Sequence, residues 1–350
     1  MLLGSFFGLL VVAPFVLAYF LIIKATDRYE PEPWWLLGVM FGWGAVVATL
    51  TAIVGNEIGG ATVRWALSAQ ASDALVQAST ASFVAPLVEE TTKGVGLLLL
   101  FMLSSLWLKE LDGPLDGAIY GGVVGLGFTL TEDVLYIGSA AASGGVAGFA
   151  TVFVLRTVLA GLSHATFTAM TGLGLGIAAD TRSTALKLVA PFVGWCAAVL
   201  LHFVHNFLVT FLMNDGAGLV VKYLFFWTVD AGFFCLIVAL GLRDRRIVSD
   251  GLRDELGGLV HPFEYERTTS HWMLVPGWNL LGLLGSPSGY GKSRKKQLDL
   301  IKLAFLKRRR QRGDRSAETA MRERELRARI QAAAAAGVFV GAPEPPKLHA

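Results

Sequence analysis

Apolar positions come in long blocks through the first 242 residues, with no period-two alternation of the kind that half-buried strands show. A bilayer core takes about 20 apolar residues per helix, and seven windows reach that length, near residues 4–23, 34–54, 82–108, 117–138, 147–178, 188–213 and 219–242. The fifth is long enough to tilt, to break at Gly161, or to run beyond the bilayer. The pattern therefore predicts an all-α polytopic membrane bundle of about seven transmembrane helices over residues 1–242. Residues 243–350 read as a basic tail, partly helical and partly disordered. The run MLLGSFFGLLVVAPFVLAYFLII lacks a positive leader and exceeds a signal-peptide core, so it reads as the first span.

Composition agrees. Hydrophobic residues make up 54% of the 350, and charged residues only 16%, against about a quarter in soluble domains. Cys196 and Cys235 lie in apolar runs and read as small buried hydrophobes. The Lys and Arg of the loops set the orientation. One side collects Lys24, Arg28, Lys109, Arg182 and Lys187, then Arg243, Arg245 and Arg246; the other holds Arg64, with Lys222 at a span edge. Positive charge stays inside, which predicts an outside N-terminus and a cytoplasmic C-terminus.

A few ionisable residues fall inside the windows. The stretch FVAPLVEETTKGVGLLLLF carries Glu89, Glu90 and Lys93; the fourth window has Glu132 and Asp133, the fifth Arg156 and His164, the sixth His202, His205 and Asn206. Each charge at a helix centre costs about 2.5–3.5 kcal/mol even on insertion scales, so such groups turn inward and find partners. Adjacent Glu89 and Glu90 diverge by about 100° around the axis, while Lys93 is one turn on from both and can pair with either. His202 and Asn206 share a face, and His205 lies about 60° off it. The four helices place these groups at similar depth, in the middle-to-outer bilayer, so they can form one site.

Such a site supports several chemistries. Carboxylate and imidazole can hold a divalent metal that activates water, a desolvated carboxylate can act as a base without metal, and a proton relay or secondary transporter uses the same residue types. Purely structural readings compete: an intrahelical ion pair for Glu89, Glu90 and Lys93, and helix-packing hydrogen bonds for Glu132, His164, His202 and His205. Asp133 and Arg156 read as supports for neighbouring helices, and the GLGLG run at 172–176 as close helix packing.

The motifs in order, EETTK at Glu89–Lys93, FTLTED at Phe128–Asp133, RTVLAGLSHATFTAMTGLGLG at Arg156–Gly176 and HFVHN at His202–Asn206, resemble the PrsW family. DRYEPEPWWLL at Asp27–Leu37 is similar as well, so the resemblance covers roughly residues 10–240. These intramembrane metalloproteases are related to the CAAX prenyl endopeptidases and bacteriocin-processing enzymes. This chain has the shorter EExxK form of the first motif, and Glu132 stands where the wider superfamily carries histidine. The resemblance implies Glu89 as water-activating base, with Glu90 as its partner bridged to Lys93. It implies Glu132, His164 and His202 as groups that orient water or bind a divalent metal such as zinc. His205 is a further candidate ligand, and Asn206 supports the oxyanion. It also implies a multi-pass cell-membrane endopeptidase cutting a membrane-tethered protein, an anti-sigma factor in the site-one manner.

The tail carries other signals. Lys292–Arg312 holds ten Lys or Arg against one acid, Asp299, and the interspersed Leu298, Ile301, Leu303, Phe305 and Leu306 predict a basic helix on anionic lipid. Nucleic acid is the weaker partner for that charge. Residues 317–336 read as a soluble helix or short coiled coil, 271–285 as an interfacial segment, and the last ten residues as disordered. GSPSGYGKS at 285–293 approaches a phosphate-binding loop, but Ser286 stands where the first glycine belongs and no βαβ unit surrounds it.

Overall fold

The computed structural model describes residues 1–67, 71–212, 216–270 and 287–341. They are mostly helical, with one isolated bridge between Leu256 and Val260 as the sole strand-like pairing among them. Among these residues six segments are long and apolar enough to cross a membrane: Leu2–Thr26, Trp34–Ala66, Asp73–Leu108, Pro114–Asp180, Thr184–Phe211 and Gly216–Arg253. The polytopic helical bundle expected from the sequence is what the chain forms.

The fourth segment, 67 residues long, contains two of the seven expected windows. It doubles back at Gly145, whose φ of 61° suits a residue without Cβ. Arg156 Nε lies 3.0 Å from Asp133 Oδ1; in one continuous helix the two positions would be about 35 Å apart. A second interruption follows at residues 159–162, where Gly161 packs on the Thr157 carbonyl and the Tyr19 ring. Of the outcomes open for the fifth window, a break at Gly161 is the one observed.

We label the helices α1 (Leu2–Thr26), α2 (Trp34–Gly42), α3 (Thr49–Ala66), α4 (Asp73–Ser79), α5 (Ala85–Leu103), α6 (Pro114–Val152), α7 (Ser163–Asp180), α8 (Thr184–Leu212) and α9 (Gly216–Arg253). Wide i→i+5 turns at Trp43–Ala48, Thr80–Val84, Ser104–Leu108 and Phe153–Val158 join or end them. Wide turns displace carbonyls from the helical ladder, and hydrocarbon offers those groups no water. Side chains take them up: Thr49 Oγ1 donates to Gly44 O at 2.9 Å, Thr131 Oγ1 to Ala45 O at 2.7 Å, and Asn206 Nδ2 to Ala81 O at 2.8 Å.

The first half of α6 is the centre of the membrane unit, with every residue from Pro114 to Thr129 buried. Lipid gives apolar side chains no reason to leave it, so close backbone contact must hold the helices together. Glycines supply that contact. A Cβ on Gly117, Gly121 or Gly125 would strike the carbonyls of Gly172, Thr168 and His164 on α7, and Gly172 and Gly176 meet α6 in the same way. The GLGLG run is therefore helix packing, as its composition suggests. The outer surface is apolar, with Phe6, Leu10, Leu17, Leu50, Leu99 and Phe192 among the exposed side chains.

The chain divides into two compact units: Met1–Lys24 with Glu32–Ile237, and Ala25–Pro31 with Val238–Ala350. The second contains the end of α9, then α10 (Pro262–Thr269), α11 (Pro287–Gln311) and α12 (Ala317–Ala335). Its core joins Tyr29, Val248, Leu252, Val260, Leu300 and Ile301 with further residues of α11 and α12. This corrects the expected lipid-facing helix: Ile301, Leu303 and Leu306 are buried in that core, and Phe305 packs on it. An amphipathic stripe needs an apolar partner, and α12 supplies one through Leu326 and Ile330. Buried Lys296 pairs with Glu264 at 2.6 Å, and Glu255 takes a two-pronged bond from Arg327 at 2.7 and 2.8 Å. That fork, helped by Lys307, holds the Glu255 carboxyl down at about 2.

Residues 287–293 of the phosphate-loop-like stretch are helical, which removes the loop such a motif needs. Its first two residues, the whole interfacial segment expected at 271–285, and residues 342–350 lie outside the described residues.

Candidate active site

Glu89, Glu90 and Lys93 lie in the first half of α5, just after the Thr80–Val84 wide turn, and all three are buried. Lys93 takes one carboxylate in preference to the other. Its Nζ is 2.8 Å from Glu90 Oε1 and 3.9 Å from Glu89 Oε2, with the Phe128 ring centroid at 3.8 Å. Glu90 is bound on every side, since Thr168 Oγ1 donates to Oε2 at 2.9 Å and His202 Nδ1 lies 3.0 Å from Oε1.

The tautomers follow from these partners. An ionised Glu90 only accepts, so His202 Nδ1 carries a proton, and in the neutral ring Nε2 keeps the lone pair. That Nε2 lies 3.8 Å from Glu89 Oε2, and this carboxylate oxygen is buried with no hydrogen-bond partner among the described residues. Two acceptors thus face each other inside the protein with nothing from the chain between them. Lys93 Nζ lies 3.1 Å from His164 Nδ1 and Glu132 Oε2 lies 2.8 Å from His164 Nε2, so His164 can ligate an ion through Nδ1 only in exchange for its contact with Lys93.

A wall of charge closes the other side. Arg156 Nη2 meets Glu132 Oε2 at 2.6 Å, and its Nε meets Asp133 Oδ1 at 3.0 Å. Thr157 Oγ1 donates to Asp133 Oδ2 at 2.7 Å, and the guanidinium lies 4.0 Å from the Tyr136 ring centroid. Asp133 and Arg156 support the helices around the site, as their positions in the sequence suggest.

The structure brings Glu89, Glu90, Lys93, Glu132, His164 and His202 together. It does not bring His205: that ring packs on Phe226 and Phe167 at centroid distances of 4.6 and 5.7 Å, and its Nδ1 has no partner. Its offset of about 60° from His202 around the helix axis points it away from the cluster and onto these rings. Asn206 is on the face expected, with one amide proton given to Ala81 O and the other left over. Two contributors carry no sequence expectation. Thr168 stands four residues after His164 on the same face of α7, a spacing that marks it. Asn56 of α3, whose Nδ2 donates to Glu89 Oε1 at 3.2 Å, lies beyond the second window, which stops at residue 54.

One ligand atom each from Glu89, His164 and His202 fall within 4.8 Å of one another. Two imidazoles and a carboxylate are a donor set that a divalent ion accepts, and the unpartnered Glu89 Oε2 is an atom that a cation would satisfy. Glu90 on His202 Nδ1 is also the kind of carboxylate that, hydrogen-bonded to the far nitrogen, commonly orients a ligating histidine. The residues fit a divalent metal.

A polytopic helical bundle with a buried carboxylate–imidazole site suited to a divalent ion defines an integral-membrane protein of metallohydrolase type. Residues 32–236, more than half of the chain, match the PrsW family of intramembrane metalloproteases, and the protein belongs to that family. It is thus a protease. No curated protein and no solved structure matches the chain.

Proposed function

We propose that this enzyme cuts a membrane-tethered protein within the bilayer, at a zinc site held by Glu89, His164 and His202. The observation that carries the reading is the facing pair of acceptors, Glu89 Oε2 and the His202 Nε2 lone pair, 3.8 Å apart. When bound, the ion polarises the attacking water and the scissile carbonyl. Glu90 keeps His202 in the tautomer that presents Nε2, and Lys93 neutralises Glu90 at 2.8 Å. Glu132 takes the proton of the water: its Oε2 is tied to Arg156 and His164, while the chain gives its other oxygen no hydrogen bond among the described residues. This moves Glu89 from the base that the family resemblance implies to a ligand. Asn206 offers its second amide proton to the developing oxyanion.

The exposed apolar surface suits a substrate arriving through lipid, and a single-span anti-sigma factor is the substrate we favour. The cell membrane is the location this implies, with the N-terminus outside. A secondary transporter or proton relay is the runner-up, and family membership weighs against it. The test is reconstitution with single-span substrates, including an anti-sigma factor. Cleavage should stop with chelator and return with Zn²⁺. Glu89→Ala, His164→Ala, His202→Ala and Glu132→Ala should each lose about a hundredfold or more at equal folded abundance. Full cleavage by all four would sink the residue roles, and full activity in metal-free protein would sink the zinc assignment.

A further inference from the structure

Asn56 belongs to none of the sequence motifs, yet its Nδ2 makes the one hydrogen bond that the Glu89 side chain receives among the described residues. The remaining polar atoms of this pair are both unusual. Asn56 Oδ1 and Glu89 Oε2 are each buried and each without a hydrogen-bond partner among the described residues. Flipping the amide does not help, because Oδ1 would then face an ionised oxygen, acceptor against acceptor. Buried polar atoms in native proteins are normally satisfied, so two orphans on one hydrogen-bonded pair point to groups that complete it. Close packing holds the pair in place: a Cβ on Gly55 or Gly59 would collide with Val88 or Val84, so α3 lies tight against the start of α5.

We propose that Asn56 positions Glu89 for the divalent ion. Its Nδ2–H holds Oε1, so that Oε2 is left to the ion, and its Oδ1 accepts from a water in the same site. The inference rests on the metal site proposed above. A glutamate has three side-chain torsions to fix, and a neighbour that fixes them beforehand spares the binding step that ordering cost.

The test uses purified full-length protein in detergent, with Zn²⁺ titrated against a chromogenic chelator. Asn56→Leu keeps the bulk of the side chain and removes the hydrogen bonds; Asn56→Ala removes both. Each should weaken Zn²⁺ binding by about ten- to hundredfold at unchanged stoichiometry, the range typical when a hydrogen-bond partner of a metal ligand is lost. Asn56→Gln, which keeps an amide, should retain more affinity than either, and exposed Glu57→Gln should match the wild type. The metal-free unfolding temperature of each variant should match the wild type, with the upward shift on adding Zn²⁺ reduced. Affinity within about twofold of wild type in both Asn56→Leu and Asn56→Ala would overturn the inference alone. So would a lower metal-free unfolding temperature with an undiminished Zn²⁺ shift, since that marks a structural role. A wild-type protein that binds no divalent ion would overturn the site reading itself, and this inference with it.

Discussion

Lys93 stands one helical turn from both Glu89 and Glu90, and the two distances, 2.8 Å to Glu90 and 3.9 Å to Glu89, give those carboxylates different lives. Glu90 becomes a fully bonded structural anion that orients His202. Glu89 keeps one oxygen open. A buried charge that loses its partner is costly, at about 3–5 kcal/mol, whereas replacing a whole pair with apolar groups is often neutral. Glu90→Leu should therefore destabilise by about that amount, and Glu90→Leu/Lys93→Met should recover much of it. Thermal unfolding in detergent would show it; a double variant as unstable as the sum of the singles would contradict the pairing. The carboxylates, histidines and lysine of this group were legible as residue types at helical spacing. Asn56 was not, because an amide at the end of an apolar run costs too little to stand out.

Between helices, packing depends on where a side chain would find no room. On α6, Gly121 faces the Thr168 carbonyl, whereas a Cβ on Gly38 of α2 would meet nothing within 4 Å. Gly121→Val should separate α6 from α7 and with it displace His164 from Glu132, abolishing activity and cutting folded yield. Gly38→Ala should be neutral or stabilise by up to about 1 kcal/mol, the helix-propensity difference. Comparing folded yield and unfolding temperature of the two variants checks this. Most spans were legible from apolar length alone, and the gap between the windows 117–138 and 147–178 is where the structure turns, at Gly145. The wide turns were not: local sequence carries no mark of them, and distant partners such as Asn206 for Ala81 satisfy their carbonyls.

At the scale of the whole molecule the two units follow different solvents. The membrane unit turns apolar side chains outward and its ionisable groups inward, while the second unit buries Leu300, Ile301 and Leu303 and pairs the charges it buries, as Lys296 with Glu264. Glu255 links α11 and α12 by holding both Lys307 and Arg327. Its pKa is depressed from 4.5 to about 2, so its contribution is complete above the ordinary carboxylate range and is lost as pH falls through about 2. Amide exchange over residues 300–306 should accordingly speed up, beyond the intrinsic pH effect, between about pH 5 and pH 2. Glu255→Gln should show faster exchange already at neutral pH, and an unchanged pH dependence in that variant would rule the carboxylate out.

The sequence by itself determined the class: long apolar blocks can only be membrane helices, and ionisable residues within them must turn inward and gather. It also carried the ordered motifs of the family, because those depend on residue type and spacing. The tertiary structure decided the pairings. Helix geometry leaves Lys93 a choice of two carboxylates and leaves His202 and His205 both within turning distance of a cavity, and α7, with Phe167, Thr168 and His164, removes the choice. It decided as well that the stripe of α11 meets protein instead of lipid, since an apolar face specifies that it must be covered and says nothing of what covers it.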